Sequence, residues 1–209
     1  MGYTHYWRRV KSIDAATFAI IGSDLNRIIL ALHDAGVQLG DAMGKDVPVV
    51  TNQLIAFNGL ENCGHAVNSE IVIPWPSPVA TGIGSNVTAV DGDWFAGSTL
   101  QHRACNGDCS YESVYFERVF KAEKWQKADE NGLWFAFCKT AFRPYDLAVT
   151  AFLIIAKHHL KDKITVSTDG EQPHWDDARR LCYTHLGYGV EYVIDDESDL
   201  VVRTTTSTG

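Results

Sequence analysis

Basic residues are in short supply. Eighteen Lys and Arg stand against 26 Asp and Glu, a formal net charge of −8, so the field of the whole chain repels phosphate backbones and anionic membrane surfaces. General nucleic-acid binding is excluded on that ground, although one small basic pocket can still receive one small anion. Long apolar runs are missing too. The longest, Leu147 to Ala156, covers half of the ~20 residues that a membrane-spanning helix needs and ends in Lys157-His158-His159, so it reads as a core helix. No basic segment leads into an apolar stretch near the N-terminus, and Tyr6 stands where a myristoylation signal needs Ser or Thr. Cysteines number only five, an odd count in a chain large enough to fold without staples. That points to a reducing, cytoplasmic setting rather than a secreted disulfide framework. No repeat and no Walker A string occurs, and Gly82-Ile83-Gly84 is followed by Val87 where a dinucleotide fingerprint has its third glycine. Asn86-Val87-Thr88 matches a glycosylation triplet, a pattern common by chance.

What is present is ordinary globular material: 209 residues, 45% hydrophobic and 21% charged, enough for one domain over 1–195 with a real core. Tyr3 to Val10 alternates as a strand, with Tyr3, His5 and Trp7 on one face and Thr4 and Tyr6 on the other. Asp14 suits an N-cap, and Phe18, Ile21, Leu25, Ile28, Ile29 and Leu32 space a helix that Gly36 closes. Leu54 to Phe57 and Glu70 to Ile73 read as short strands. From Pro74 to about Gln101 glycine, proline and polar residues break every period, the core of an irregular insertion assigned to 74–130. Leu133 to Lys139 reads as a buried strand, Pro144 to about Leu160 as a helix, and Ile164 to Ser167 as the next strand. Pro173 to Leu186 then forms a helix closed by Gly187, and Glu191 to Ile194 a last strand; 196–209 reads as a flexible tail. Strand, helix and strand with short loops make a right-handed βαβ unit whose two strands are parallel and end at one sheet edge, the place where open α/β folds hold ligands. The fold class is therefore α/β, or α+β, with a mixed sheet, a C-terminal βαβ unit and an irregular central insertion.

Met1-Gly2-Tyr3-Thr4-His5-Tyr6-Trp7, Phe137-Cys138-Lys139-Thr140, Pro144-Tyr145-Asp146 and Ser167-Thr168-Asp169-Gly170 resemble a family of uncharacterised bacterial and bacteriophage proteins. Those proteins open on the same aromatic string and later carry an FCKT, PYD and SDG-like series; a segment like Phe57-Asn58-Gly59 followed by Gly64-His65 recurs in them. The resemblance implies a phage or prophage origin and no particular activity. It does not extend over 74–128, and Ala66-Val67-Asn68 departs from a pattern that often has an acidic residue directly after the His.

Three constellations carry candidate chemistry. At the end of the first βαβ strand, Lys139, Thr140 and Arg143 precede a helix whose free N–H groups and dipole favour an anion. Tyr145 and Asp146 open that helix, and Ser167 and Asp169 follow the parallel strand. Together they describe a site for a small anionic or nucleotide-like ligand, with Asp169 able to hold a ribose hydroxyl, a metal or a proton. His5 is the candidate general base, because imidazole titrates near neutral pH; Asp169 is the second catalytic candidate. The plainer reading makes Lys139 and Arg143 solvated loop charges, Asp146 a helix N-terminal charge and His5 a satisfied core histidine. His158-His159 reads as structural, His174 and Trp175 as core or rim, and Cys138 as buried and inert rather than nucleophilic. No motif names a cofactor.

The alternative is metal. Cys63, His65, His102, Cys105 and Cys109 are all ligand types that zinc accepts, but the tight two-residue knuckle of a zinc motif is absent, so the expectation is free thiols without metal. With six Trp and eight Tyr, a zinc-stabilised, non-catalytic module that engages another protein, such as a host factor, is the rival to the small-ligand reading.

Overall fold

Alternation in the first strand decides the layout. His5, Trp7 and Arg9 are buried on one face, while Arg8 is exposed and Tyr6 half-buried on the other, so a core lies on one side of this strand only. The computed structural model describes residues 3–65, 69–71, 94–95, 98–99, 103–105 and 107–203. In chain order its elements are β1 (Thr4–Arg9), α1 (Ala15–Asp34), β2 (Leu39–Gly40), β3 (Val49–Val50), β4 (Leu54–Gly59), β5 (Ser69–Ile71), β6 (Trp94–Phe95), β7 (Ser98–Thr99), β8 (Arg103–Cys105), β9 (Val114–Glu117), β10 (Trp134–Lys139), α2 (Asp146–Leu160), β11 (Ile164–Thr168), α3 (Gln172–Leu186), β12 (Tyr192–Ile194) and β13 (Leu200–Val202).

The main sheet has the order β10-β1-β11, with β1 antiparallel to both neighbours. β10 and β11 therefore run parallel and are joined through α2, but β1 lies between them, a split form of the expected βαβ unit. The mixed α/β class read from the sequence holds. A second sheet is built on β4, which pairs with β2, β3 and β9. Small two-stranded pairs join β5 to β8 and β6 to β7.

Helix α1 starts where Asp14 accepts a hydrogen bond from Thr17 N at 2.9 Å and ends before Gly36, whose φ of +86° only glycine adopts freely. Its length and a mean hydropathy of 1.4 would allow a membrane crossing. Its burial is one-sided, however: Phe18, Ile21, Leu25, Ile28 and Leu32 form a single stripe against α2, while Asp24 and Arg27 bond to residues of the body. Helix α2 is buried continuously from Asp146 to Ala156, with α1 and α3 both packed on it. Phe57, Phe116 and Phe152 join the second sheet to α2 through edge-on rings 5.0 and 6.0 Å apart.

Two expectations are corrected. β10 is not a buried strand: among the described residues it pairs only with β1, and alternation leaves Phe135 36% and Phe137 51% exposed on the outer face. The tail does not begin at 196 either. Asp195 accepts from Glu197 N and Asp199 N, turning the acidic run into a hairpin loop, and Leu200 in β13 is buried. Within the expected insertion, Val114 to Glu117 is regular strand on β4. The sequon, Gly82-Ile83-Gly84, most of 74–102 and 204–209 lie outside the described residues.

Candidate functional site

The end of β4 and the chain after β8 are built to meet. Asn58 donates to Tyr111 O at 3.0 Å and accepts from Tyr111 N at 3.0 Å, which pins the 108–113 loop to β4. Gly59 has no room for a side chain, because a Cβ there would fall 1.8 Å from the Cys109 carbonyl oxygen. Gly64 (φ +75°) turns the chain between Cys63 and His65, and Gly107 (φ +83°) does so between Cys105 and Cys109. The result gathers four donor atoms from two distant segments: Sγ of Cys63, Cys105 and Cys109 and a ring nitrogen of His65 all lie within 4.8 Å of one another. Cys63 Sγ is 3.4 Å from Cys105 Sγ, and His65 Nδ1 is 3.3 Å from Cys109 Sγ. Bonds of ~2.3 Å to sulfur and ~2.0 Å to nitrogen place tetrahedral zinc ligands roughly 3.5–3.8 Å apart, a spacing that the observed separations, 3.3 and 3.4 Å for two pairs and at most 4.8 Å for the rest, bracket. All three thiols are buried and none is in a disulfide. Burial pushes the Cys63 thiol up, but the His65 backbone N–H and the other two thiols outweigh it and hold Cys63 below its ordinary value; burial pushes Cys109 up. The structure thus brings together four of the five residues named as zinc ligand types; His102 lies outside the described residues.

Two residues before Cys105, on the same face of β8, Arg103 enters the core. Its Nε donates to Asp146 Oδ2 at 3.0 Å, Nη1 to Asp177 Oδ2 at 2.8 Å and Nη2 to His174 O at 3.0 Å. The guanidinium also lies 5.0 Å from the Phe142 ring, which the left-handed Ala141 and Phe142 (φ +51° and +56°) bring back over the body. On the other carboxylate oxygen, Asp146 Oδ1 accepts from Thr140 Oγ1 at 2.6 Å and faces His5 Nε2 at 2.8 Å. Thr168 Oγ1 meets His5 Nδ1 at 3.0 Å while accepting from Gly170 N. Because a carboxylate only accepts, the network assigns a proton to His5 Nε2. His5, Thr140 and Asp146 are fully buried. Burial alone would raise the Asp146 carboxyl, but His5, Arg103 and Thr140 hold it down at about 2.

The sheet divides the anion site expected from the sequence. His5, Thr140 and Asp146 meet inside, beside buried Tyr145, whose hydroxyl donates to Glu112 O at 2.7 Å. Lys139, Ser167 and Asp169 fall on the outer face by strand alternation. Asp169 there accepts from Thr4 N at 3.0 Å and from Tyr6 Oη at 3.2 Å. Arg143 joins neither group, since its guanidinium donates to the Asp108 carbonyl in the cysteine loop. The first amides of α2 are engaged as well: Asp146 N bonds Arg143 O at 2.8 Å and Ala148 N bonds Tyr145 O at 2.9 Å. Of the remaining candidates, Cys138 is buried, with its thiol pushed up by burial. His158 stacks on Tyr188 at 3.6 Å, and His159 pairs with Asp24 at 2.8 Å. No role was foreseen for Arg103, Asp177 or Asn58; the signals were that Arg103 keeps strand parity with Cys105 and that Asn58 stands in the recurring Phe57-Asn58-Gly59 segment. The chain matches no family model, no curated protein and no solved structure, so its function is argued from this geometry.

Proposed function

We propose that this chain is a zinc-stabilised, non-catalytic interaction module, with the metal held by Cys63, His65, Cys105 and Cys109. The observation that carries the reading is the approach of those four donor atoms to within 4.8 Å of one another. Three thiolates and one imidazole fill all four positions of a zinc tetrahedron and leave none for water or substrate, which is the pattern of a structural rather than a catalytic site. The histidine best suited to acid-base chemistry has both ring nitrogens engaged and no exposed surface. Exposed aromatics, among them Trp125 at 78% and Tyr115 at 57%, supply the kind of surface that engages a protein. Metal analysis of the purified chain is expected to find close to one equivalent of zinc. Chelation is expected to lower the melting temperature, because metal binding is then folding free energy, and Cys105→Ser to lose the metal. Metal-free protein that melts the same with and without chelator would overturn the reading.

A further inference from the structure

We propose that the open edge of β10 takes up an extended acidic segment of a partner protein, which adds to the sheet as a strand. The proposal rests on the interaction-module reading and gives it a place and a partner chemistry. Thr140 N bonds Tyr3 O while Asp169 N bonds Thr4 O, so peptide groups of β1 alternate between its two neighbours. By that parity Leu133, Phe135, Phe137 and Lys139 turn their N–H and C=O away from β1. Leu133 is closed off by Asp129, and Lys139 by Glu112. Between these stops the peptide groups of Phe135 and Phe137 have no partner among the described residues, leaving two donors and two acceptors on a free strand edge. Such edges are what peptide recognition by strand addition uses.

The edge opens on a groove of about 370 Å³ lined by Trp7, Tyr115, Phe120, Trp125, Phe135 and Phe137. Trp7 is only 2% exposed, yet its Nε1–H has no acceptor among the described residues. A buried donor left unmade is costly, and a peptide carbonyl is an acceptor that would satisfy it. Charge selects the partner. Arg8 lies 4.9 Å from the Phe135 ring, Lys11 5.2 Å from Trp134 and Lys139 5.8 Å from Tyr111, none of them in an ion pair among the described residues. Of the acids at the same edge, Glu117 pairs with Lys121 at 3.0 Å, while Glu112 and Asp129 accept backbone N–H groups at the two stops. Arg8, Lys11 and Lys139 outnumber those two carboxylates, so this edge is positive on a chain of net charge −8. Rings and cations also suit single-stranded nucleic acid, but the alternating donors and acceptors of a strand edge match a peptide backbone, and the net charge opposes a polyanion.

The test titrates zinc-loaded, ¹⁵N-labelled full chain with an end-capped peptide of alternating Glu and Val, about eight residues long so as to span the window at ~3.3 Å per residue. Shifts are expected at the Phe135 and Phe137 amides and at the Trp7 indole N–H. The fully N-methylated peptide, the Lys-for-Glu peptide and the Phe137→Pro variant should each bind at least ~10-fold more weakly. Proline at 137 removes only an N–H that faces away from β1, and the methylated peptide repeats the test on unaltered protein. Equal binding of the methylated peptide, or oligo-dT binding in place of the acidic peptide, would overturn the proposal. Zinc is measured in the same sample: zinc-loaded protein that ignores the peptide refutes only the groove, and metal-free protein that binds it refutes only the zinc.

Discussion

Replacing Arg103 by Met tests the buried ion network most directly. The guanidinium is 3% exposed and serves three acceptors, the Asp146 and Asp177 carboxylates at 3.0 and 2.8 Å and the His174 carbonyl at 3.0 Å. Met fills much of the same volume, so the loss is mainly electrostatic. Asp146 keeps the His5 and Thr140 contacts, but as a charge in a fully buried place it loses its one permanent cation. Breaking a buried pair from one side costs about 3–5 kcal/mol, a large share of the ~5–15 kcal/mol that holds a domain together. Urea unfolding of zinc-loaded wild type and variant at pH 7, followed by far-UV circular dichroism, reads that difference. A second signature comes from pH. Burial alone raises the Asp146 carboxyl, so without Arg103 the folded variant takes up a proton more readily than wild type does. Its deficit should shrink as pH falls from 7 toward 4. A variant within ~1 kcal/mol of wild type, with a gap flat across that range, would refute this account of the network.

Two further outcomes follow from the same geometry. In wild type the Asp146 carboxyl is held at about 2 against an ordinary value near 4, so the stability it contributes, roughly 2–3 kcal/mol, is fully present above pH ~4. It is lost as pH falls through about 2, which denaturation curves from pH 7 to pH 2 would show, and an acid limb set by other carboxylates alone would contradict it. Gly59→Ala forces its new methyl against the Cys109 carbonyl, which must move and take a ligand with it. Zinc affinity measured by competition with a chelator should drop by at least ~10-fold, and unchanged affinity would mean that the loop yields freely.

The three helices and the strands β10 and β11 were legible because each carries its own period and its own stops, such as Asp14, Pro144 and Gly187. What local pattern could not say was where β1 goes. Inserted between β10 and β11, it puts His5 beside Thr168 and Cys138, near the strand ends as expected, but on the buried side. The anion site was assembled from residues that follow strand ends, and side-chain alternation then separates them: Thr140 goes in, Lys139 and Asp169 go out. The metal ligands were visible as residue types, but their grouping was not. Cys63 and His65 are separated by one residue and Cys105 and Cys109 by three, with some forty residues between the pairs; the Asn58 and Gly59 contacts to the second loop, the Cys109 N–Leu60 O bond and the pairing of Ser69 with Cys105 are long-range contacts that bring them together.

The packing around the cysteines bears on the zinc proposal. Buried hydrophobic residues fall into a large cluster around α1, α2 and the two sheets and a separate small one formed by Cys63, Cys105 and Cys109 with Leu60 packed on it. Among the described residues this small cluster offers three thiols and one leucine, little apolar surface to set against the backbone entropy of ordering two loops. β8, at three residues, is likewise too short to stand by itself. Two non-hydrophobic fastenings therefore hold the satellite in place, and β8 carries both. Arg103 ties it to α2 and α3 through Asp146 and Asp177, and Cys105 ties it to the end of β4 through the shared donor set. The ion network fixes one side of β8; a zinc ion held by Cys63, His65, Cys105 and Cys109, as proposed above, would close the other, with a bond strength that burial at this size cannot match.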